Sequence, residues 1–272
     1  MIRIGLDPIL FQVGSLTVAW HGVFTAVAVF VGVYLVARLS KRVGLAPDQV
    51  YSVALWAVPG GVVGARLFHV IDYWSFYSAH PVQILAINEG GLAIFGAIIG
   101  GVVAGILYAR ARHYPVAKLM DVSSLGIILA QAIGRVGDVI NGEHFARTSG
   151  LPWAVVYTHP NSPSFGRAPQ HPAVAYELLM DLAILGILWV LWRRLRPDGA
   201  LMLVYFSLYG LGRFIVSFLR EEKVVLAGMQ QAQVVSLLTL AVAVPLLVFL
   251  AARDRRRSAA TPSSDASEQH EA

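Results

Sequence analysis

From Leu16 onward the chain is a succession of long apolar stretches separated by short polar, glycine-containing or proline-containing connections. A bilayer core about 30 Å thick is crossed by roughly 20 residues of helix, so apolar runs of that length with few charges predict membrane spans. Seven occur, at approximately Leu16–Leu39, Val50–Ile71, Leu92–Ala111, Leu119–Ile140, Ala173–Trp192, Ala200–Leu219 and Ala232–Ala251. They predict an all-α polytopic membrane protein of about seven transmembrane helices with a cap on the outer face.

Composition agrees, with 57% hydrophobic residues, 14% charged residues and a mean hydropathy of +0.65. These values lie outside the range of soluble globular domains. The first run is long enough to span, and the mixed residues before it do not resemble a cleavable signal, so it is expected to be retained as a helix. Absence of cysteine excludes a disulfide scaffold, cysteine metal sites and a thiolate nucleophile of the protein's own. No metal motif or cofactor motif is read, and neither group is expected.

Charge then orients the chain. Arg38, Lys41 and Arg42 follow the first segment, and Arg110, Arg112 and Lys118 lie between the third and fourth. Arg193, Arg194 and Arg196 lie between the fifth and sixth, and Arg253, Arg255, Arg256 and Arg257 follow the seventh. All of these fall on one side, against Arg3, Arg147, Arg167, Arg220 and Lys223 on the other. Cytoplasmic loops carry the excess of Lys and Arg, so the C-terminus is expected in the cytoplasm and the N-terminus outside. The net charge of +5 reads as membrane anchoring, with the lipid bilayer as partner and no nucleic acid.

One membrane domain over residues 1–257 and a disordered cytoplasmic tail over 258–272 are expected. The Asn141–Pro172 connection holds five prolines with Trp153 and Tyr157, which suits an ordered outer cap, and Leu151–Thr158 is a candidate short strand. Gly60 and Gly64, Gly96 and Gly100, and Gly101 and Gly105 repeat at four-residue spacing, the pattern of close helix packing in membranes.

Arg66, Arg135 and Arg213 stand inside apolar segments or at their ends, where an unpaired charge costs several kcal/mol. In Gly134–Glu143, Arg135 and Asp138 are three residues apart and can pair on one helix face. That arrangement is either a buried ion pair or a clamp for an anionic group, with Asp138 or Glu143 holding the arginine. Tyr209, Arg213 and Ser217 form a polar stripe at four-residue steps, and Arg220 follows as a further clamp or as a snorkelling end residue. Pro172 opens the fifth segment, and Glu177 sits in its early turns as a helix-end carboxylate or an ion-pair partner. Arg66 either faces the same cavity or pairs with Asp72.

Three ordered motifs carry a family resemblance. Gly134 to Glu143 matches G-R-x-G-N-F-I-N-G-E, with Asp138 in place of Asn and Val139 in place of Phe. His171 to Glu177 matches His-Pro-x-x-x-Tyr-Glu, and Tyr209 to Arg220 matches Tyr-Gly-x-x-Arg-Phe-x-x-x-x-x-Arg. From about Trp20 to Ser236 the chain resembles the prolipoprotein diacylglyceryl transferases. The resemblance implies transfer of the diacylglyceryl group of phosphatidylglycerol to the cysteine thiol of a prolipoprotein lipobox, within a bacterial cytoplasmic membrane. A thioether forms and glycerol 1-phosphate leaves.

It also implies roles. Arg135 and Arg213 would stabilise the departing phosphate, and Arg66, Asp138, Asn141, Glu177, Tyr209 and Arg220 would bind substrate or hold the arginines, with Asp121 behind them. The family frequently has Trp-Tyr-Gly where this chain has Trp20-His21-Gly22, and His-Gly-Gly where it has Phe95-Gly96-Ala97. Glu is also common where Ser217 stands. Phenylalanine transfers no proton, so the candidate bases are His21, Glu143, His144 and His171. The rival classes are a small-solute transporter and a non-catalytic lipid-binding membrane protein. The chain shows no internal repeat of the kind that marks many transporters.

Overall fold

The computed structural model describes residues 1–14, 16–87, 90–192 and 194–260. Arg193 and most of the expected tail thus lie outside the described residues. Among the described residues seven helices are long and apolar enough to cross a membrane, which makes the chain a multi-pass membrane protein of the all-α class. The helices are α1 (Trp20–Ser40), α2 (Pro47–Asp72), the short α3 (Trp74–Tyr77), α4 (Ile94–Ala111), α5 (Val116–Asn141), α6 (Ala173–Leu191), α7 (Ala200–Ser217) and α8 (Gln231–Ala260). Large apolar side chains such as Phe30, Leu55, Val63, Leu107 and Phe249 remain exposed on them, the surface expected of helices whose solvent is lipid.

Two compact units divide the chain, Met1–Gly32 with Ser123–Ala272, and Val33–Val122. In the second unit, α2 begins at Pro47, whose fixed φ suits the first helical position, and the Gln49 side chain accepts the Ala46 N–H at 3.2 Å. Along α2 and α4 the predicted glycine seam is present. A Cβ on Gly64 would run into the Gly96 carbonyl, and one on Gly100 into the Gly60 carbonyl, so the two backbones approach as only glycine permits.

In the first unit the apolar run beginning at Leu16 does not start as helix. Leu16–Ala19 is a strand, β3, paired antiparallel with β2 (Ile9–Val13), and the helix begins at Trp20. Thr17 and Val18 are β-branched and favour the strand locally. β1 (Ile2–Ile4) pairs in parallel with β4 (Val155–Tyr157), which lies inside the predicted 151–158 stretch. A second hairpin, β5 (Val224–Leu226) with β6 (Met229–Gln230), precedes α8.

The 141–172 segment is ordered and caps the end of α5. Gly142 has φ +72°, the left-handed conformation that closes a helix, and a Cβ there would meet Ser162 and Tyr157. Carbonyls at that helix end, which lack intrahelical partners, accept from this segment: Tyr157 donates to Val139 at 2.9 Å, Ser162 to Asn141 at 3.2 Å and Ser164 to Gly142 at 2.5 Å. Burial pushes the Tyr157 hydroxyl up to about 12, so it stays a donor across the physiological range.

Candidate functional site

Close packing at the start of α1 sets up the site. A Cβ on Gly137 would lie 3.0 Å from the His21 Cα and 2.9 Å from the Phe24 side chain, so the absence of a side chain on α5 lets α1 lie against it. His21 Nδ1 consequently reaches Asp138 Oδ1 at 2.6 Å, and Arg135 Nη1 donates to the other oxygen, Oδ2, at 3.0 Å. An ionised Asp138 only accepts, which assigns the proton of a neutral His21 to Nδ1 and leaves Nε2 with a lone pair.

Glu177 is the centre of the arrangement. It is wholly buried on α6 and takes Arg135 Nη2 on Oε2 at 3.0 Å, with Arg213 and Arg220 both on Oε1, the latter at 3.0 Å. One carboxylate thereby gathers three guanidiniums from α5, α7 and the segment after α7. Glu222 braces two of them from the far side, 2.5 Å from Arg213 Nη2 and 2.8 Å from Arg220 Nε. Arg220 also donates to His144 Nδ1 at 2.9 Å, so a neutral His144 carries its proton on Nε2, which points to Asp138 at 3.4 Å.

Most of the residues singled out in the sequence therefore meet: His21, Arg135, Asp138, Glu177, Arg213 and Arg220. Glu143 lies at the edge, 3.9 Å from both His21 and His144. Tyr209 stacks on Tyr205 one turn before Arg213, and Asn141 ends α5. Ser217 bonds within its own helix, donating to the Arg213 carbonyl at 2.7 Å. His171 is apart from the ion pairs. It lines an apolar recess of about 310 Å³ with Ile2, Trp153, Tyr157 and Tyr176, and His144 stands at the same recess.

Arg66 departs from both expectations. Among the described residues its guanidinium bonds no acid, Asp72 included, but five backbone carbonyls, those of Gln83, Ile84, Ala86, Gly90 and Gly91. Every donor is spent on the carbonyls of residues 83, 84, 86, 90 and 91. A further acid is Asp181, wholly buried one turn beyond Glu177 on α6. Its signal was present in the sequence as a carboxylate within an apolar run. Glu222 gave none, since it follows the segment among ordinary loop charges.

His21, Asp138 and Glu143 offer three ligand atoms within 4.8 Å of one another. Arg135 donates to the same Asp138 carboxylate, through its other oxygen.

The family model described as prolipoprotein diacylglyceryl transferase matches residues 8–249. The chain belongs to that family. Relatives named phosphatidylglycerol–prolipoprotein diacylglyceryl transferase include one from Dehalococcoides mccartyi, 39% identical over 92% of this chain and 95% of its own length. Another, from Nostoc sp., is 37% identical over 94% of each chain, and one from Clostridioides difficile is 32% identical over 92% and 98%. The matched span of this transferase-family chain contains the whole arginine cluster and the His21–Asp138 pair.

Proposed function

We infer that this protein is a phosphatidylglycerol–prolipoprotein diacylglyceryl transferase, the enzyme of the first step of bacterial lipoprotein maturation. The observation that carries its mechanism is the gathering of three guanidiniums on Glu177 beside a histidine–aspartate pair.

The reaction is a displacement at carbon. The cysteine sulfur of the lipobox attacks the glyceryl carbon that bears the phosphate ester, the carbon–sulfur bond forms, and the carbon–oxygen bond breaks. Glycerol 1-phosphate departs as a monoester with one more negative charge than the diester it came from. Arg135 and Arg213 stabilise that charge, because preorganised cations in a site with little water act strongly where charge develops. Glu177 and Glu222 hold them in place, Arg220 closes the group, and Tyr209 and Asn141 contribute polar contacts to the head group.

A thiol is a weak nucleophile until it loses its proton. His21 Nε2 accepts that proton while Asp138 fixes the tautomer and balances the imidazolium that results. Two departures from the family motifs, His21 and Asp138, thus touch one another, and together they provide a base in a chain whose residue 95 is phenylalanine. Glu143 supports His21 from the edge. The recess beside His144 suits an apolar side chain of the signal peptide.

The distribution of Lys and Arg supports a cytoplasmic-membrane orientation with the N-terminus and the 141–172 cap outside and the C-terminus within. In detergent, with phosphatidylglycerol and a lipobox peptide, glycerol 1-phosphate release should require the peptide cysteine. His21→Ala should lower kcat by about 10²-fold or more, the usual contribution of a general base, and Asp138→Asn combined with it should add little further. Fully additive losses, or release without the cysteine, would refute the pairing.

A further inference from the structure

Asp181 stands one helical turn beyond Glu177 on α6 and has 0% exposure. Among the described residues neither of its carboxylate oxygens has a hydrogen-bond partner. The charges that act on it are those of Arg135, Arg213 and Glu177, and its own charge acts on Tyr205 and Tyr209. Glu177 differs in its ion pairs: Arg213 and Arg220 donate to its Oε1, and Arg135 Nη2 lies 3.0 Å from its Oε2. A buried carboxylate without donors is strongly unfavourable, and such groups in membrane helices mark functional positions.

The guanidiniums of Arg135 and Arg213 are gathered on Glu177 one turn earlier on α6, so positive charge is already near Asp181, and what it lacks is a donor. A further cation would add positive charge to a place that has it, whereas a neutral hydroxyl supplies a bond and no charge. We propose that Asp181 is the acceptor for the vicinal hydroxyls of a glycerol head group. The proposal rests on the transferase reading, in which Arg135 and Arg213 hold the phosphate of the same lipid. Those hydroxyls are joined to the phosphate through a short carbon chain, and the next turn of α6 is about 5.4 Å away along its axis. A lipid whose phosphate lies on the guanidiniums therefore brings its diol within reach of this carboxylate. Asp181 then selects the head group, and the arginines serve the chemistry.

The test compares phosphatidylglycerol with phosphatidylpropanol, which keeps the phosphodiester and loses both hydroxyls, and with phosphatidylethanolamine. The full chain in detergent is assayed for transfer to a lipobox peptide and, separately, for lipid affinity by native mass spectrometry. Wild type should prefer phosphatidylglycerol to phosphatidylpropanol by about tenfold or more, the worth of one to two hydrogen bonds. Asp181→Asn should bring that ratio to within about threefold, its loss falling on phosphatidylglycerol, and Asp181→Thr gives the same comparison if the asparagine variant folds poorly. Equal use of the two lipids by wild type overturns the proposal, as does a variant that slows both by the same factor. A variant that loses phosphatidylethanolamine alone and keeps the other two lipids would instead make Asp181 an ammonium site and overturn the proposal. If wild type transfers neither lipid, the transferase reading fails, and the affinity ratio alone still decides whether Asp181 binds the diol.

Discussion

Arg66 on α2 and Arg135 on α5 are both arginines set in apolar helices, yet different chemistry satisfies them. Among the described residues Arg66 donates to backbone carbonyls and lies over the Tyr77 ring, whereas Arg135 meets the carboxylates of Asp138 and Glu177. Carbonyl partners belong to the path of the chain, so they can be exchanged only by moving the backbone that carries them. Carboxylate partners are anions, and a phosphate ester offers a guanidinium the same charge and charged oxygens that accept in the same way. A buried arginine is thus a site for substrate or a structural clamp according to its partners, and both types occur in this chain.

Substitutions should separate the two regions. Arg135→Ala should produce the largest effect, a loss of about 10³-fold in kcat/KM, because the departing phosphate loses a preorganised cation. Glycerol 1-phosphate release would read it, and a loss under tenfold would remove Arg135 from the chemistry. Glu177→Gln follows. It leaves three guanidiniums without their common anion and should destabilise the protein by about 3–5 kcal/mol, seen as a lowered Tm in detergent.

Arg66→Ala should cost about 2–4 kcal/mol, since several carbonyls lose their donors at once, and its activity should fall only with the folded fraction. A kcat defect in fully folded Arg66→Ala protein would erase the distinction between the regions. The smallest effect is expected at Asp7, where the Ile9 N–H and the Asn161 side chain hold the carboxyl below its usual range. Its contribution is present above the ordinary carboxylate pKa and is lost as pH falls through the lowered value. The Tm difference between wild type and Asp7→Ala should therefore shrink in acid.

Every spanning helix was legible because lipid imposes one requirement, an apolar run long enough to satisfy its own backbone. Gly60, Gly64, Gly96 and Gly100 announced the seam between α2 and α4 through their spacing alone. β1 was not legible, since its partner β4 is some 150 residues away and three residues carry no local period. The start of α1 was misread because apolar strand and apolar helix look alike where they adjoin.

Sequence alone determined that this is a seven-helix membrane protein and that its arginines carry information, because burying a charge in hydrocarbon is costly enough to need a reason. Motif spacing determined its family. Which acid each arginine meets was decided only in three dimensions. Glu177 lies 42 residues from Arg135 and 36 from Arg213, His21 lies 117 from Asp138, and no periodicity links positions on separate helices. Helix packing decided those pairings, through a glycine at 137 that admits α1, and it buried Asp181 with no hydrogen-bond donor on its oxygens among the described residues.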